Sequence, residues 1–486
     1  MKIAIVQLQP EFPDFWGIVP APRYGVITVT NALAQVGFNV TAYVEKLVRY
    51  GEIKRSAREA DIIGFSVLSP NAERTYALAD NMRRIGKKVI FGGSHVYYFL
   101  EDAMQHCDYA VLCDAESVAA RLFHAVAANQ PVDSIPAVAW HENGTVRKTA
   151  PDPQAQRYQG ITNLELIKGY PESIRRRKWT GWAPVVFQAT RGCPFHCSFC
   201  VTPELFNRQF YVRPVEEVVT DLKDKLRYTK DVYFVDNNFG GNLKFVHQFC
   251  EELAREGIRM NATAYVRYEF AHHPDLLDLM RRVGFNRLLV GIESFVDGTL
   301  HDLDKRQSFA AVRDAIRVFQ KHGFQTTGTF IMGVGNETPE TAVRYADVAI
   351  KLDLDYAFFF VLAVYPHMCP EFMPKERTFL TEFRRGTGHF IFFFPQSIRP
   401  SHLQDEMVRA HLKFYSVGRI ASRLLRGRFK DAAQLVYHRL LFLRLRQHVN
   451  RYLRYVRNLE ADIYDGDQLN LEALRHKKVP KLASYH

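Results

Sequence analysis

The strongest constraint on the fold is an alternation of strand-like apolar runs with helical patterns. It starts near the first residue and predicts strands at residues 2–10, 39–45, 61–69, 88–93 and 108–113. Helical patterns lie between these runs, most clearly at 25–38 and 71–86. Parallel strands need crossover connections, which are usually helices. The first part of the chain is therefore predicted to form a doubly wound parallel sheet of the Rossmann type.

A second alternation follows further along the chain. It predicts six strands at residues 184–190, 231–237, 261–267, 287–293, 326–333 and 356–364, with helical spans between them. This order fits a partial (β/α)6 barrel, in which chemistry gathers at the carboxyl ends of the strands. Together the two series predict an α/β protein of more than one domain, as a length of 486 residues also implies.

The sequence between the two series of strands is irregular and rich in proline. It predicts one hairpin, at 138–148, that turns at Asn143-Gly144. We therefore predict four regions. They are a first domain at 1–128, a connection with a hairpin at 129–183, the barrel at 184–385 and a basic helical region at 386–486. The segment 365–379 follows the sixth strand, where Tyr365 and His367 either line a substrate cavity or are ordinary loop residues.

Three of the seven cysteines fall within eight residues, at Cys193, Cys197 and Cys200. Three thiolates at Cys-x3-Cys-x2-Cys spacing can ligate three irons of a [4Fe-4S] cube and leave the fourth iron without a protein ligand. A structural zinc site needs four ligands, and the nearest extra candidate, His196, sits inside the loop. The odd number of cysteines, seven, argues against a disulfide framework. The remaining thiols are predicted to be packing groups: Cys107, Cys113, Cys250 and Cys369.

The stretch 193-CPFHCSFC-200 resembles the signature of the radical S-adenosylmethionine (radical SAM) superfamily, Cys-x3-Cys-x-aromatic-Cys. The lead-in 190-TRGCP-194 also looks typical of the superfamily's barrels. The resemblance implies that the three cysteines hold the cluster and that S-adenosylmethionine chelates the unique iron. On reduction it would release a 5′-deoxyadenosyl radical that abstracts hydrogen from a substrate.

The resemblance also implies roles for residues at the ends of the later barrel strands, which are assigned by their position. The segment 235-VDNNFGG-241 stands where the superfamily presents a Gly-Gly-Glu-like element to the methionine amine. The segment 291-GIES-294 is similar to the part that contacts ribose or methionine, and 328-GTFIMGVGNE-337 to the adenine support. The resemblance thus implies these cofactor-binding candidates: Phe199, Asp236, Asn237, Glu293, Ser294, Ile331 and Gly333. A structural carboxylate, a plain turn or a core aromatic is the alternative at each place.

A doubly wound domain ahead of such a barrel resembles radical SAM proteins with an N-terminal cobalamin-binding domain, a group that includes methyltransferases and ring-forming enzymes. Ligands in such sheets sit beyond the carboxyl ends of the strands, where Ser66, Gly92 and Gly93 fall. These residues are candidates for contact with cobalamin, although the glycines could equally just turn the chain. No Asp-x-His-x-x-Gly run occurs in residues 1–150, and His95 is predicted to be a surface histidine rather than a cobalt ligand.

Several interpretations of function stay open at this point. The first domain either binds cobalamin without a protein ligand, is an empty relic, or has been recruited for substrate. The first of these favours methyl transfer to an unactivated carbon. The alternatives are radical cyclisation or rearrangement of a lipid, tetrapyrrole or natural-product skeleton, and, from another class, a non-catalytic metal-binding protein that uses its basic tail to bind a partner.

The net charge of +12 is concentrated near the end of the chain. Residues 413–457 hold twelve Lys or Arg against a single acid, Asp431. At about 100° per residue, one helix face carries Arg439, Arg444, Arg446, Arg451, Arg454 and Arg457. The opposite face carries Leu441, Phe442, Leu445, Val449, Tyr452, Leu453 and Val456.

Such an amphipathic basic helix can pack on the barrel with a solvated cationic face, rest on an anionic membrane, or meet an acidic electron donor of the flavodoxin or ferredoxin type. Nucleic acid is not favoured, because no recognised binding module accompanies the charge. No signal peptide or membrane-spanning stretch is evident, so we expect a cytoplasmic protein, with peripheral membrane contact as the alternative. The predicted substrate is a small molecule or a lipid.

Overall fold

The computed structural model describes residues 1–10, 21–112, 114–151, 160–177, 184–335, 337–363, 377–379, 388–466, 468–470 and 472–473. The predictions for Cys113, Tyr365, His367 and Cys369 lie outside the described residues.

The first domain is a seven-stranded sheet in the order β2-β1-β3-β4-β5-β6-β7. Its strands are β1 (Lys2–Gln7), β2 (Asn39–Val44), β3 (Ile62–Ser66), β4 (Lys88–Gly92), β5 (Tyr109–Val111), β6 (Val138–Glu142) and β7 (Thr145–Lys148). Its helices are α1 (Tyr24–Gln35), α2 (Tyr50–Glu59), α3 (Ala72–Arg84), α4 (Ser94–Tyr98), α5 (Leu100–Met104) and α6 (Glu116–Ala127), followed by α7 (Tyr170–Arg177) in the connection. Strands β1 to β5 are parallel, as predicted.

The strands of this sheet form because their apolar runs can be buried on both faces. Ile62, Ile63 and Phe65 of β3 are all buried, as expected for a parallel sheet covered by helices. The predicted hairpin turns at Asn143 and Gly144, which both have positive φ. Its first strand pairs antiparallel with β5, so the hairpin extends the first sheet instead of lying free in the connection.

The barrel has six parallel strands in the order β15-β14-β13-β12-β11-β8, which confirms the predicted partial barrel. They are β8 (Val185–Phe187), β11 (Asp231–Phe234), β12 (Asn261–Val266), β13 (Phe285–Glu293), β14 (Gln325–Met332) and β15 (Tyr356–Val361). A separate pair, β9 (Thr190–Gly192) and β10 (Phe210–Val212), is antiparallel. The helices are α8 (Thr202–Leu205), α9 (Val215–Leu226), α10 (Leu243–Arg255), α11 (Pro274–Val283), α12 (Asp297–Asp302), α13 (Phe309–Lys321), α14 (Pro339–Ala342) and α15 (Tyr345–Lys351).

One hydrophobic cluster joins the first domain to the barrel. Val118 and Leu122 of α6 belong to the same buried cluster as Tyr170 of α7 and Val185 of β8. The opposite face of the first sheet has its own cluster, which includes Phe65. Since the shared core is continuous, the two sheets are packed together through α1, α6 and α7.

The C-terminal region covers the free edge of the barrel. It consists of α16 (Pro400–Phe414), α17 (Val417–Leu425), α18 (Phe429–Ile463) and the short pair β16 (Tyr464–Asp465) and β17 (Gln468–Leu469). Buried His411 of α16 accepts the backbone N–H of Phe359 at 3.1 Å, and the Tyr415 hydroxyl donates to the carbonyl of Ala357 at 3.0 Å. These side chains satisfy an edge strand that would otherwise expose its polar backbone. None of the described helices is both long and apolar enough to cross a membrane.

Candidate active site

The cysteine loop follows β8, at the carboxyl end of the first barrel strand. Cys193, Cys197 and Cys200 are half-buried free thiols. The loop begins at Gly192, whose φ of +78° and approach to the Gln209 carbonyl leave no room for a side chain. Ser198 fastens the loop by donating its backbone N–H to the Leu303 carbonyl at 3.1 Å. The short β9–β10 pair thus holds three thiols on one compact turn.

The surroundings of these thiols suit an anionic sulfur-ligated cluster. Arg267 Nη1 lies 3.8 Å from Cys197 Sγ, and Asn238 Nδ2 lies 4.0 Å from Cys193 Sγ. Burial raises the pKa of the Cys197 thiol, and the charges of Lys305 and Arg267 oppose that shift. In the described part of the chain, no three His, Cys, Asp or Glu side chains converge to hold a single metal ion. Three thiols beside two cations are a donor set that can hold three irons of a [4Fe-4S] cube.

A buried ion pair lies beside the loop at the end of β13. Lys305 Nζ and Glu293 Oε1 are 2.7 Å apart, and the two side chains are only 7% and 8% exposed. The pair passes over Gly291, where an added Cβ would lie 2.4 Å from Glu293 Oε1. Glu293 has a φ of +64° and sits at a shift in strand register. Backbone strain of this kind clusters at functional sites.

The predicted aromatic Phe199 belongs to the same corner of the barrel. Lys305 Nζ lies 5.5 Å from the centre of its half-buried ring. Arg267 stacks in the same way on Phe195, at 3.9 Å from the ring centre. Both aromatic residues of the loop therefore carry a cation on one face, which orients the cations toward the thiols.

Asp236 is fully buried, and its contacts differ from the predicted role at the methionine amine. Its carboxylate accepts the backbone N–H of Ala189 at 3.1 Å and the hydroxyl of Thr190 at 2.7 Å. Burial raises the pKa of Asp236 to about 6. The carboxylate thus fixes the corner where the chain leaves β8 for the cysteine loop. The neighbouring Asn238 Oδ1 is buried and has no hydrogen-bond partner among the described residues, so it offers an acceptor to a ligand.

The other predicted barrel residues also lie at the carboxyl ends of strands, where most of them make hydrogen bonds or close packing contacts within the protein. Asn237 donates to the Thr202 hydroxyl at 3.2 Å. Ser294 is buried and accepts the backbone N–H of Val296 at 3.1 Å. Gly333 has a φ of +90°, and an added Cβ would lie 2.6 Å from the Leu403 side chain. Ile331 is half-buried at the end of β14, next to these groups.

The predicted residues of the first sheet also lie at the carboxyl ends of their strands. Ser66 ends β3, and its hydroxyl accepts a hydrogen bond from Arg23 at 3.2 Å. Gly92 ends β4 with nothing within 4 Å of an added Cβ, whereas at Gly93 a Cβ would lie 2.4 Å from the Val67 carbonyl. Gly93 therefore turns the chain, and Gly92 borders open space.

The prediction of a surface position for His95 is wrong. The side chain is buried, its Nε2 lies 2.8 Å from the Tyr76 hydroxyl and its Nδ1 lies 3.0 Å from the Ser69 hydroxyl. Burial lowers the pKa of His95 to about 4, so the ring is neutral at pH 7. Since both ring nitrogens already have partners, His95 is not placed to ligate cobalt.

The carboxyl edges of the two sheets face each other through a buried ion cluster. Arg191, two residues before the first cysteine of the loop, lies 2.8 Å from Asp114 and 2.5 Å from Glu116. Asp114 lies between β5 and α6 and Glu116 begins α6, so both acids follow the carboxyl end of β5. The two domains also approach each other at Tyr97 in α4. Burial raises the pKa of Tyr97, and the negative charge of Glu204, just after the loop, raises it further. The cysteine loop is thus held against the first domain.

Sequence reasoning missed four residues of this site. Arg267 directly follows β12, and Asn238 lies within a segment that was already considered, so the carboxyl-end rule could have found both. Arg191 stands inside the lead-in to the loop, but its acidic partners are distant in sequence. Lys305 lies in a loop twelve residues beyond Glu293 and leaves no periodic signal.

Comparison with known proteins identifies two domains. A family model described as the radical SAM superfamily matches residues 187–349, and one described as a B12 binding domain matches residues 20–123. The chain therefore contains a radical SAM domain and a B12-binding domain, which confirms the resemblance drawn from the cysteine loop and the first sheet. A radical SAM domain implies a [4Fe-4S] cluster and S-adenosylmethionine, and the B12-binding domain supports cobalamin as a further cofactor.

Curated relatives are enzymes that transfer methyl groups or close rings. The chain is 28% identical over 318 residues to an uncharacterized methyltransferase of Pyrococcus horikoshii, covering 63% of this chain and 68% of that protein. It is 24% identical to the bacteriochlorophyllide d C-12(1)-methyltransferase of Chlorobaculum tepidum, covering 84% and 85%. It is 25% identical to the anaerobic magnesium-protoporphyrin IX monomethyl ester cyclase of Synechocystis, covering 50% and 49%. These relatives support an enzyme over a non-catalytic metal-binding protein.

Two solved structures share the fold of this chain. The cobalamin-dependent S-adenosylmethionine radical enzyme OxsB superposes with a TM-score of 0.68 at 14% identity, covering 98% of this chain and 83% of that chain. The radical S-adenosylmethionine methyltransferase TsrM from Kitasatospora setae superposes with a TM-score of 0.62 at 18% identity, covering 75% and 76%. At these identities the likeness establishes the fold alone.

Proposed function

We propose that this radical SAM enzyme with a B12-binding domain transfers a methyl group to an unactivated carbon of a small molecule or lipid. One observation carries the proposal: the cysteine loop of the barrel is clamped against the carboxyl edge of the first sheet by Arg191, Asp114 and Glu116. In that arrangement a cofactor bound at one edge would face a cofactor bound at the other. The matches to methyltransferases over most of the chain support the same assignment.

In this proposal Cys193, Cys197 and Cys200 hold the cluster. When bound, the cluster supplies the electron that cleaves S-adenosylmethionine, and cobalamin supplies a carrier for the methyl group. The contribution of the chain is to bind, orient and exclude water. Arg267 and Lys305 place positive charge beside the thiolates, which stabilises the more negative, reduced state of the site.

The S-adenosylmethionine site is proposed to lie among the barrel strand ends. Asn238 Oδ1 would accept the amine, since its oxygen is buried without a partner in the described part of the chain. Glu293, held by Lys305, would meet the ribose hydroxyls. Phe199, Ile331 and Gly333 would lie along the adenine, and Ser294 would lie beside the ribose or methionine part. Asp236 and Asn237, next to Asn238, would support the segment that meets the methionine amine.

Cobalamin is proposed to rest on the first sheet near Ser66 and Gly92, without a histidine below the cobalt. Both ring nitrogens of the neutral His95 are hydrogen bonded within the first domain, so neither is available to ligate cobalt. This supports cobalamin binding without a histidine ligand. Gly93 would shape the loop without touching the cofactor. The proposed limits of the four regions stay at 1–128, 129–183, 184–385 and 386–486.

The test is anaerobic reconstitution of the full chain with iron, sulfide and hydroxocobalamin. We expect the loaded protein to retain cobalamin after gel filtration and to cleave S-adenosylmethionine when dithionite is added. Cys200→Ala should lose the cluster and the cleavage, whereas Cys250→Ala, at a buried cysteine away from the loop, should keep both. A loaded wild-type protein that leaves S-adenosylmethionine intact would refute the proposal.

Radical cyclisation is the second candidate, because a ring-forming cyclase is among the relatives. The products of S-adenosylmethionine separate the two reactions. Methyl transfer from this donor releases S-adenosylhomocysteine, whereas cyclisation without methyl transfer releases 5′-deoxyadenosine and methionine alone. Detection of 5′-deoxyadenosine without S-adenosylhomocysteine in the presence of substrate would favour the cyclase.

The site also requires a source of electrons and a substrate. A protein reductant is expected for radical SAM chemistry, and we propose a flavodoxin- or ferredoxin-type donor. We further propose a cytoplasmic enzyme with peripheral membrane contact, for which the C-terminal helices supply the surface argued below.

A further inference from the structure

The helices α17 and α18 form a hairpin whose apolar side chains lie in solvent. The two helices pack against each other and are joined by residues 426–428. Leu425 at the end of α17 is 89% exposed, and Phe429 at the start of α18 is 68% exposed. On α17 the exposed apolar residues follow helical spacing: Val417, Ala421, Leu424 and Leu425. Large apolar groups are thus concentrated at the tip of the hairpin.

The outward face of α18 changes character along its length. At 3.6 residues per turn, a strip about 120° wide along the middle of this face holds the following exposed side chains. In the first four turns they are apolar: Phe429, Ala433, Val436, Tyr437, Leu440 and Leu443. Further along they are basic: Arg444, Arg451 and Arg454. The opposite face is buried at Phe442, Leu445, Val449 and Tyr452, so packing on the barrel uses that face and leaves the outward one uncovered.

Positive charge surrounds this apolar surface. Arg426 and Lys430 flank Leu425 and Phe429 and are exposed. Arg177, in the basic last turn of α7, lies near enough to Tyr437 to influence its pKa. Asp431, the one acid between residues 413 and 457, is paired with Arg428 at 2.6 Å. The surface is therefore apolar at its centre and cationic at its rim.

The hairpin lies at the end of the barrel opposite the cysteine loop. Gln325 at the start of β14 donates to Asp431 at 3.1 Å, and Tyr356 at the start of β15 bonds to Gln434. A six-residue strand such as β15 spans about 20 Å. An electron donor docked on the hairpin would be separated from the cluster by at least that distance, so the surface does not suit a redox partner.

We propose that the α17–α18 hairpin docks the protein on an anionic lipid bilayer. Leu425 and Phe429 would enter the boundary between headgroups and acyl chains, and Arg426 and Lys430 would bind the headgroup phosphates. A second copy of the chain is a poorer occupant, because a two-fold contact would bring the same cations face to face. The inference specifies the surface and the lipid of the proposed membrane contact, and it does not depend on the proposed methyl transfer.

The test is flotation of the full-length protein with vesicles of phosphatidylcholine alone or mixed with phosphatidylglycerol. Wild type should float with the anionic vesicles and bind the neutral ones more weakly. The double substitution Leu425→Ser/Phe429→Ser should lower the partition coefficient at least about tenfold, since two large apolar side chains no longer leave water. The matched control is Val36→Ser/Ile85→Ser, at residues 47% and 54% exposed on the first domain, which should bind as wild type does.

A second variant isolates the electrostatic part. Arg426→Gln/Lys430→Gln should weaken binding to anionic vesicles about fivefold for each cation removed and leave binding to neutral vesicles unchanged. Equal far-UV circular dichroism and equal iron content would show that each variant is folded. Flotation of Leu425→Ser/Phe429→Ser at the wild-type level would overturn the proposal. A second result would also overturn it: wild-type protein that does not bind vesicles but forms a dimer in light scattering, when the Leu425→Ser/Phe429→Ser variant is a monomer. S-adenosylmethionine turnover is not part of either readout, so failure here is distinct from failure of the proposed function.

Discussion

The two carboxyl edges that face each other in this protein are built from different chemistry. The edge of the barrel concentrates charge around the cysteine loop, through Arg267, Lys305 and Glu293. At the ends of β3 and β4 the edge of the first sheet presents the small neutral residues Ser66 and Gly92, with open space beside Gly92. The acids of this edge, Asp114 and Glu116, lie beyond β5 and are paired with Arg191. The barrel edge therefore suits an anionic cluster and a charged sulfonium, and the first edge suits a large cofactor held by shape and backbone.

This difference has energetic consequences. Buried charges must be matched, so removing one partner of a pair leaves the other without solvation. Small neutral residues beside open space leave nothing unsatisfied when they change. Substitutions at the barrel edge are thus expected to have larger effects on the fold than substitutions at the first edge.

The largest effect is expected at Lys305. Lys305→Met leaves the Glu293 carboxylate buried and unpaired, which should lower the free energy of unfolding by about 3–5 kcal/mol. The double substitution Glu293→Gln/Lys305→Met removes both charges and should recover most of the loss. Urea unfolding of the protein before cluster loading measures both values. If the single variant is as stable as wild type, the pair does not support the barrel edge.

The next effect concerns His95, whose pKa is lowered from 6.5 to about 4 by burial against Tyr76, Ser69 and Phe99. The negative charge of the nearby Asp102 opposes this shift without cancelling it. The unfolded chain takes up a proton below pH 6.5 and the folded chain does not. The contribution to stability is therefore complete above pH 6.5 and is lost as the pH falls toward 4. Between pH 7 and pH 5 it should change by roughly 2 kcal/mol.

Urea unfolding at the two pH values checks this effect. His95→Gln should lose stability less steeply between pH 7 and pH 5 than wild type does. His301→Gln, at a side chain 92% exposed, should follow the wild-type curve. His95→Gln should also retain cobalamin, because this ring is not a cobalt ligand here. Loss of cobalamin from His95→Gln alone would reverse that assignment.

The sequence predicted the sheets far better than the partners within the site. Buried parallel strands are continuous apolar runs, so both series of strands and the position of the cysteine loop could be found from the local sequence. Glu293 could be placed by its strand, but its partner Lys305 comes from a loop without periodicity. The exposure of Phe429 and the burial of His95 depend on which helix face meets the rest of the fold, which no local pattern records.

A smaller effect is expected at Arg267, whose guanidinium lies 3.8 Å from Cys197 Sγ. Removing this cation should disfavour the reduced cluster, because reduction adds negative charge. Arg267→Met should make the midpoint potential roughly 50 mV more negative, which for one electron is about 1 kcal/mol, the net value of an ordinary hydrogen bond. Redox titration monitored by electron paramagnetic resonance measures the shift. Arg282→Met, at an exposed arginine of α11, is the control, and equal potentials in both variants would contradict the role of Arg267.

The smallest effect on stability is expected at Gly92, and its neighbour supplies the contrast. Gly92→Ala adds a methyl group where nothing lies within 4 Å, so the free energy of unfolding should change by less than about 0.5 kcal/mol. Gly93→Ala would force a φ of +113° and a clash with the Val67 carbonyl, and should impair folding. If cobalamin rests on the end of β4, Gly92→Ala should fold normally yet retain less cobalamin after gel filtration. Full retention would move the cofactor away from β4 while leaving the neutral character of this edge intact.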